Sequence, residues 1–262
     1  MFEQISSKDN RQIKRYVKLC TSKSARTDAG EFAIEGTKLV YEAVRSGILL
    51  DTLFITAPCL ERLAYREEII GASAQVFLIE GSLESKLSQV QTPQGVYAIA
   101  KKLDNDSSCA TIEHKGKSIL LVDLQDAGNV GTIIRTAEAV GIDRVLVTSR
   151  TCDVYNPKVI RSTMGSLFRM MVQTVPDAMT AIEAFQSNGA AVYASVVDAD
   201  AQKIGTFSFA QDSLLLIGNE GNGLPQSISQ AADHRITIPM KGNTESLNAS
   251  MAACILMWEM NR

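Results

Sequence analysis

From Ser7 to Cys20 apolar residues recur at the spacing of one helical face. Ala33–Arg45 repeats the pattern, with Ile34, Leu39, Val40 and Val44 in a stripe that Gly47 can end. Beyond Gly47 the runs shorten. Thr52–Thr56, Gln75–Ile79 and Gly95–Ala100 read as strands, with helical spacing at Leu60–Ile70 and Ser82–Ser88 between them. These elements predict an α/β domain over residues 1–103. Lys101–Lys117 is polar and aperiodic, contains Asp104-Asn-Asp-Ser-Ser108, and reads as a linker over 104–117.

A second series then begins. Strands are expected at Ser118–Leu124, Arg144–Thr148, Ala191–Val197, Ser213–Ile217 and Arg235–Ile238, with helices at Thr132–Val140, Asn156–Leu167, Ala178–Gln186 and Leu247–Met260. Nearly continuous apolar strands alternating with helices predict a mainly parallel sheet covered on both faces, over 118–262. In the final helix Leu247, Met251, Ile255 and Trp258 share helical spacing and are expected to be buried, either in the core or in a dimer seam. The fold class is therefore α/β, in two domains.

Composition narrows this picture. The 262 residues are 45% hydrophobic and 21% charged, as in an ordinary globular protein able to bury a core. No secretory pattern opens the chain and no apolar run approaches the ~18–20 residues of a membrane span, so the cytoplasm is the expected location. Cys20, Cys59, Cys109, Cys152 and Cys254 are odd in number and far apart, which offers neither a disulfide framework nor a metal knuckle. Net charge is only −3, yet Lys8, Arg11, Lys14, Arg15, Lys18, Lys23 and Arg26 stand against Asp9 alone in one short stretch. Such clustering suits either a solvated helix face or a contact with a polyanion, where neutralised phosphates release counterions.

The chemistry should lie just past the strands, because ligands of open parallel sheets sit beyond the carboxyl ends. Three such loops are crowded with glycine and amide groups: Asp126-Ala-Gly-Asn-Val-Gly131, Gly218-Asn-Glu-Gly-Asn-Gly-Leu224 and Met240-Lys-Gly-Asn-Thr-Glu-Ser-Leu-Asn248. Their spacing is wrong for the dinucleotide fingerprint and for a phosphate-binding P-loop. His114 and His234 have no nucleophile beside them in sequence, and each reads as a surface residue.

Asn129-x-Gly131-x-x-x-Arg135, Gly218-Asn-Glu-Gly-x-Gly-Leu224 and Ile238-Pro-Met-x-Gly-x-x-Glu-Ser-Leu-Asn-x-Ser250 occur in the order and spacing of three motifs. Together they resemble the SpoU/TrmH family of RNA ribose 2′-O-methyltransferases. Arg26 through Phe32-x-Ile-Glu-Gly36, with Gln91-Thr-Pro-Gln-Gly-Val96, resembles an RNA substrate-binding domain of ribosomal-protein L30e/L7Ae type. The resemblance implies a SPOUT domain with a trefoil knot, a homodimer, S-adenosylmethionine as cofactor, and no metal. It implies RNA, most often ribosomal, as substrate, with transfer RNA or a noncatalytic RNA-binding role as alternatives.

By the same resemblance the cofactor contacts fall at Gly218, Asn219, Gly221, Ile238, Met240, Gly242 and Leu247, where a Cβ at Gly218, Gly221 or Gly242 would obstruct a ligand. The catalytic positions are Asn129, Arg135, Glu220, Ser246 and Asn248. Asn129 precedes the expected helix and can cap it or orient Arg135. Arg135 matches an arginine serving either as base or as a grip on phosphate and alkoxide; a guanidinium is a poor proton acceptor, which favours the second role. RNA contacts are expected at Lys8, Arg11, Lys14, Arg15, Lys18 and Arg26.

Overall fold

The computed structural model describes residues 2–103 and 115–262; most of the expected linker, with Cys109 and His114, lies outside them. The chain forms two compact units. One comprises 2–103 together with Asp153–Phe168, the other 115–152 together with Arg169–Arg262.

The first unit runs β1 (Glu3–Ile5), α1 (Arg11–Thr21), α2 (Lys23–Ala29), β2 (Glu31–Glu35), α3 (Thr37–Arg45), β3 (Leu50–Thr56), α4 (Ala57–Arg62), α5 (Arg66–Gly71), β4 (Ser73–Ile79), α6 (Glu84–Leu87) and β5 (Val96–Lys101). Its sheet has the order β1-β4-β3-β5-β2; β1, β4 and β3 pair in parallel, and β5 is antiparallel to both β3 and β2. The core packs aliphatic side chains such as Ile13, Leu19 and Ile99 around an aromatic centre, where Tyr16 meets Phe54 and Tyr97 edge to face at 5.9 and 5.7 Å.

The second unit carries β6 (Lys117–Leu121), α7 (Ala127–Val140) and β7 (Arg144–Thr148). Next comes α8 (Pro157–Thr163), which belongs to the first unit: Tyr155 and Phe168, on either side of it, pack on Phe32 at 5.0 and 6.3 Å. The second unit resumes with β8 (Met171–Val175), α9 (Ala178–Ser187), β9 (Ala191–Ser195), β10 (Gln202–Lys203), β11 (Ser213–Ile217), α10 (Gln226–Ala231), β12 (His234–Thr237) and α11 (Ala249–Met260). Every pair in its sheet is parallel, in the order β10-β12-β9-β11-β6-β7-β8. Leu120, Leu146, Ile182, Phe185, Val192, Leu214 and Leu216 form one of its apolar clusters.

Several expectations need correction. The stretch read as one helix from Ala33 is a strand, β2, turned at Gly36 into α3. Leu60–Ile70 is two short helices, broken where Tyr65 takes a left-handed φ of 58°. The buried side of α11 is Ser250, Ala253, Leu256, Met257 and Met260, whereas Met251, Ile255 and Trp258 form an exposed stripe. Among the described residues no helix is long and apolar enough to cross a membrane.

Candidate functional site

Since β11 lies between β9 and β6, the loop after β11 stands beside the loops that follow both neighbours. This is the topological switch of the sheet, where strand order reverses and a crevice opens. The loop Gly218–Leu224 is a closed hairpin: Asn219 N–H donates to Gly223 O at 3.1 Å, and Gly223 N–H donates to Asn219 O at 2.9 Å. A Cβ at Gly218 would overlap the backbone of Gly223 and Leu224. The loop's own closure already requires glycine there, whatever the cavity holds.

Glu220 is the clasp between this hairpin and the start of α7. Its carboxylate accepts from Gln125 N–H at 3.2 Å, from Asp126 N–H at 3.0 Å and from Asn129 Nδ2 at 3.1 Å. Burial pushes its carboxyl up, but hydrogen bonds from its own N–H, from Asn129 and from the backbone of Asp126 and Gln125 outweigh this and hold it below the ordinary glutamate range. The loop therefore presents a carboxylate, not an acid, at neutral pH.

Asn129 sits inside the first turn of α7, which begins at Ala127 and not at Thr132. The cap is Asp126, whose Oδ1 accepts from Asn129 N–H at 2.8 Å. Asp123, ahead of this turn, takes a left-handed φ of 57°, and its carbonyl accepts from Asn219 Nδ2 at 2.9 Å. Thr148 Oγ1 donates to its Oδ1 at 2.7 Å, and Arg150 pairs with its Oδ2 at 3.2 Å. Sequence reasoning passed over Asp123 and Gln125; a carboxylate directly after a strand and before a helix was the available signal.

Two adjoining cavities, of about 440 and 600 Å³, lie at these strand ends. The first is lined by Ile238, Met240, Ser246 and Leu247, and the second by Gly218, Asn219, Glu220, Gly221, Ser246 and Leu247. Both also take Ser195–Asp198, a fourth loop, after β9, that sequence reasoning missed. Gly218, Ile238 and Leu247 thus converge.

Other candidates stand apart from that lining. Asn248 caps α11, its Oδ1 accepting from Ser250 N–H at 2.9 Å and Ser250 Oγ at 2.7 Å. Gly242 lines neither cavity, and a Cβ there would meet nothing within 4 Å, so no steric argument holds at this position. Arg135 is exposed on α7 and has no ion-pair partner among the described residues. It neighbours Thr136, whose Oγ1 accepts from Cys254 Sγ of α11 at 3.1 Å.

The basic stretch divides. Lys8, Arg11, Lys14 and Lys18 are exposed, the last three following one ridge of α1. Arg15 is bound to Glu31 at 2.6 Å and Asp51 at 2.8 Å, and these partners raise its pKa. Arg26 is 3% exposed, paired with Asp153 at 2.7 Å, and its Nη1 donates to Leu19 O at 2.7 Å. Arg26 is therefore a structural ion pair and not an RNA contact. No group of three possible metal ligands occurs among the described residues.

Comparison with known proteins matches two family models along the chain. The model of the SpoU rRNA Methylase family matches residues 116–258, and that of the MRM3-like substrate binding domain matches 10–98. The Bacillus subtilis 23S rRNA (guanosine(2553)-2′-O)-methyltransferase RlmP is 32% identical over 98% of this chain and 99% of its own. The solved structure of the AdoMet-bound rRNA methyltransferase from Sinorhizobium meliloti is 28% identical, with a TM-score of 0.86 over 99% of this chain and 97% of that one. The SpoU methyltransferase AviRb from Streptomyces viridochromogenes, solved in complex with AdoMet, is 28% identical, with a TM-score of 0.83 over 96% of this chain and 97% of that one.

Proposed function

Because the chain belongs to the SpoU rRNA methylase family, we propose that it is an S-adenosylmethionine-dependent enzyme that methylates a ribose 2′-hydroxyl of ribosomal RNA, in the cytoplasm. One observation carries the reading: the loops after β9, β11 and β12 meet in two adjoining cavities next to a helix start clasped by Glu220. The residues present fit the cofactor. The combined space is of small-molecule size, and Ile238, Met240 and Leu247 offer apolar contact for a purine. Glu220 and Glu245 supply negative charge where a cationic ligand would lie, while Asp198 is already paired with Arg235 of the same wall.

When bound, S-adenosylmethionine supplies an electrophilic methyl group on a positively charged sulfur. The chain's task is to bring a ribose 2′-oxygen into line with it, to let the hydroxyl proton pass to a base or to water as the methyl group arrives, and to stabilise the charge that develops on that oxygen. Glu220 and Asn129 hold the hairpin and the α7 start in one arrangement, and Ser246 offers a hydroxyl at the cavity wall. The guanidinium of Arg135 grips the phosphate beside the reacting sugar and the oxyanion forming on it. Asn248 acts through the start of α11.

The exposed stripe Met251, Ile255 and Trp258 is our candidate for a homodimer seam, 56%, 38% and 66% exposed respectively. Burying it against a second copy would place the neighbouring Arg135 at the subunit boundary. A trefoil knot in 118–262 belongs to the same reading, supported by the gathering of Ser246 and Leu247 with the Gly218–Leu224 hairpin. Lys8, ahead of α1, and the α1 ridge of Arg11, Lys14 and Lys18 make the phosphate-tracking face of the 1–103 substrate domain, with Lys14 sharing its charge with the exposed Asp9 at 2.8 Å.

The test is to incubate the protein with S-adenosylmethionine and unmodified total RNA and to map positions resistant to alkaline cleavage, since a 2′-O-methyl group blocks attack on the adjacent phosphodiester. Resistance in ribosomal RNA is expected; resistance confined to transfer RNA would change the substrate class, and none at all would overturn the activity. Arg135→Ala should lower turnover by about 10²–10³-fold with cofactor affinity unchanged. Wild-type turnover in that variant would remove Arg135 from the mechanism.

A further inference from the structure

In the first unit a cleft of about 550 Å³ opens between the start of α3, the end of α4 and the turn before α5, with Thr37, Lys38, Tyr41, Arg62, Tyr65 and Gln94 on its walls. The rings of Tyr41 and Tyr65 are stacked at 3.9 Å with only 9° between their planes. Aromatic pairs left to themselves prefer offset or edge-to-face packing. Tyr65 is moreover 54% exposed and holds a φ of 58°, a region that bulky residues rarely enter. The chain thus keeps a broad aromatic surface at the solvent, in an unfavourable backbone state, without gaining core packing from it.

The polar groups around the rings are set for a ligand. Thr37 donates to Gln94 Oε1 through its N–H at 2.9 Å and its hydroxyl at 3.0 Å. A backbone N–H can only donate, so the oxygen of the amide must face Thr37, and the NH2 of Gln94, with no partner among the described residues, is left to donate elsewhere. Lys38 and Arg62 are both exposed; Arg62 Nε donates to Pro58 O at 2.9 Å, and neither cation has an ion-pair partner among the described residues. Stacking surface, oriented amide donor and two unneutralised cations are the three elements of single-strand nucleic-acid recognition.

We propose that this cleft captures one unstacked base of single-stranded RNA, stacked on the Tyr41–Tyr65 pair, with flanking phosphates against Lys38 and Arg62 and a base acceptor toward the Gln94 amide. The proposal rests on the reading of the protein as an RNA-modifying enzyme and adds a second, noncatalytic anchoring point for that RNA. Because every base has a π-face, the anchor selects for strand openness more than for sequence.

The experiment measures binding of full-length protein to a fluorescein-labelled RNA single strand of about 12 nucleotides, and to the same strand fully paired, by fluorescence anisotropy. Tyr65→Gly should weaken single-strand binding by roughly 5- to 100-fold and leave duplex binding within about 2-fold, while melting at or above wild type because glycine accepts a positive φ. Tyr65→Phe, which keeps the ring, should stay within about 2-fold of wild type. A folded Tyr65→Gly that binds the single strand like wild type overturns the proposal. Should that variant not fold, Lys38→Glu with Arg62→Glu, at exposed positions, should flatten the salt dependence of single-strand binding by about 1.4 in log–log slope, and an unchanged slope overturns it equally. Methyl transfer by wild type with unaltered binding in the variants would sink the cleft alone. Selective loss of binding in a protein that methylates no RNA would sink the enzymatic reading and leave the cleft standing.

Discussion

In the second unit every strand pair is parallel, so the carboxyl ends of β6, β9, β11 and β12 face one way and their loops pool at one edge of the sheet. In the first unit β5 runs antiparallel to β3 and β2, which sends loops to both ends. Polar groups follow suit. The pooled loops bond to one another across strands, as Glu220 does with Gln125, Asp126 and Asn129. Two cations of the first unit turn inward, Arg15 held by Glu31 and Asp51 and Arg26 by Asp153, while Lys8, Arg11, Lys14 and Lys18 stay at the surface. A parallel sheet gathers groups for chemistry, whereas the mixed sheet keeps these two charges as braces and leaves binding to its outer surface.

The contrast breaks first, and by the largest margin, at Arg26. Arg26→Ala would strand Asp153, whose side chain is only 10% exposed, and should cost about 3–5 kcal/mol in denaturant unfolding. A loss under ~1 kcal/mol would make the whole basic stretch a solvated face. Next comes the hairpin: Gly218→Ala forces a Cβ into the Gly223 backbone and should cost about 1–3 kcal/mol along with cofactor affinity, whereas Gly242→Ala should stay within about 0.5 kcal/mol by thermal melting. Equal effects at the two glycines would refute the assignment of Gly218 to loop closure.

The smallest effect is electrostatic. The folded pKa of Glu220 lies below its unfolded value, so its contribution to stability is complete above about pH 4.3 and fades as pH falls through the folded pKa. Wild type should therefore lose more melting temperature on acidification than Glu220→Gln, and parallel curves would show that the clasp carries no charge-dependent stability.

What could be read from the chain was whatever its local pattern expressed. Ser213–Ile217 and Arg144–Thr148 are strands at the expected residues because short buried β-branched and leucine runs admit little else. β2 was hidden because all five of its residues are buried, leaving no alternation, and Ile34 falls into helical register with the apolar residues of α3 across Gly36. Nothing in Leu63-Ala64-Tyr65 announces a helix break, since it contains neither glycine nor proline; the break comes with the stacking of Tyr65 on Tyr41, a partner that no local spacing names. The site motifs were legible as a set, and Gly218, Ile238 and Leu247 do meet. The loop Ser195–Asp198 was not, because its membership depends on β9 lying between β11 and β12, an order that no local spacing records. The fate of Arg26 was equally invisible, as its partner Asp153 is 127 positions away.

Trp258 is the chain's one tryptophan, and it stands on the uncovered side of α11. Should the proposed seam form, the protein would carry its own optical gauge of it: an indole passing from water into an apolar contact changes its emission colour, so dilution alone, with no label attached, would report self-association.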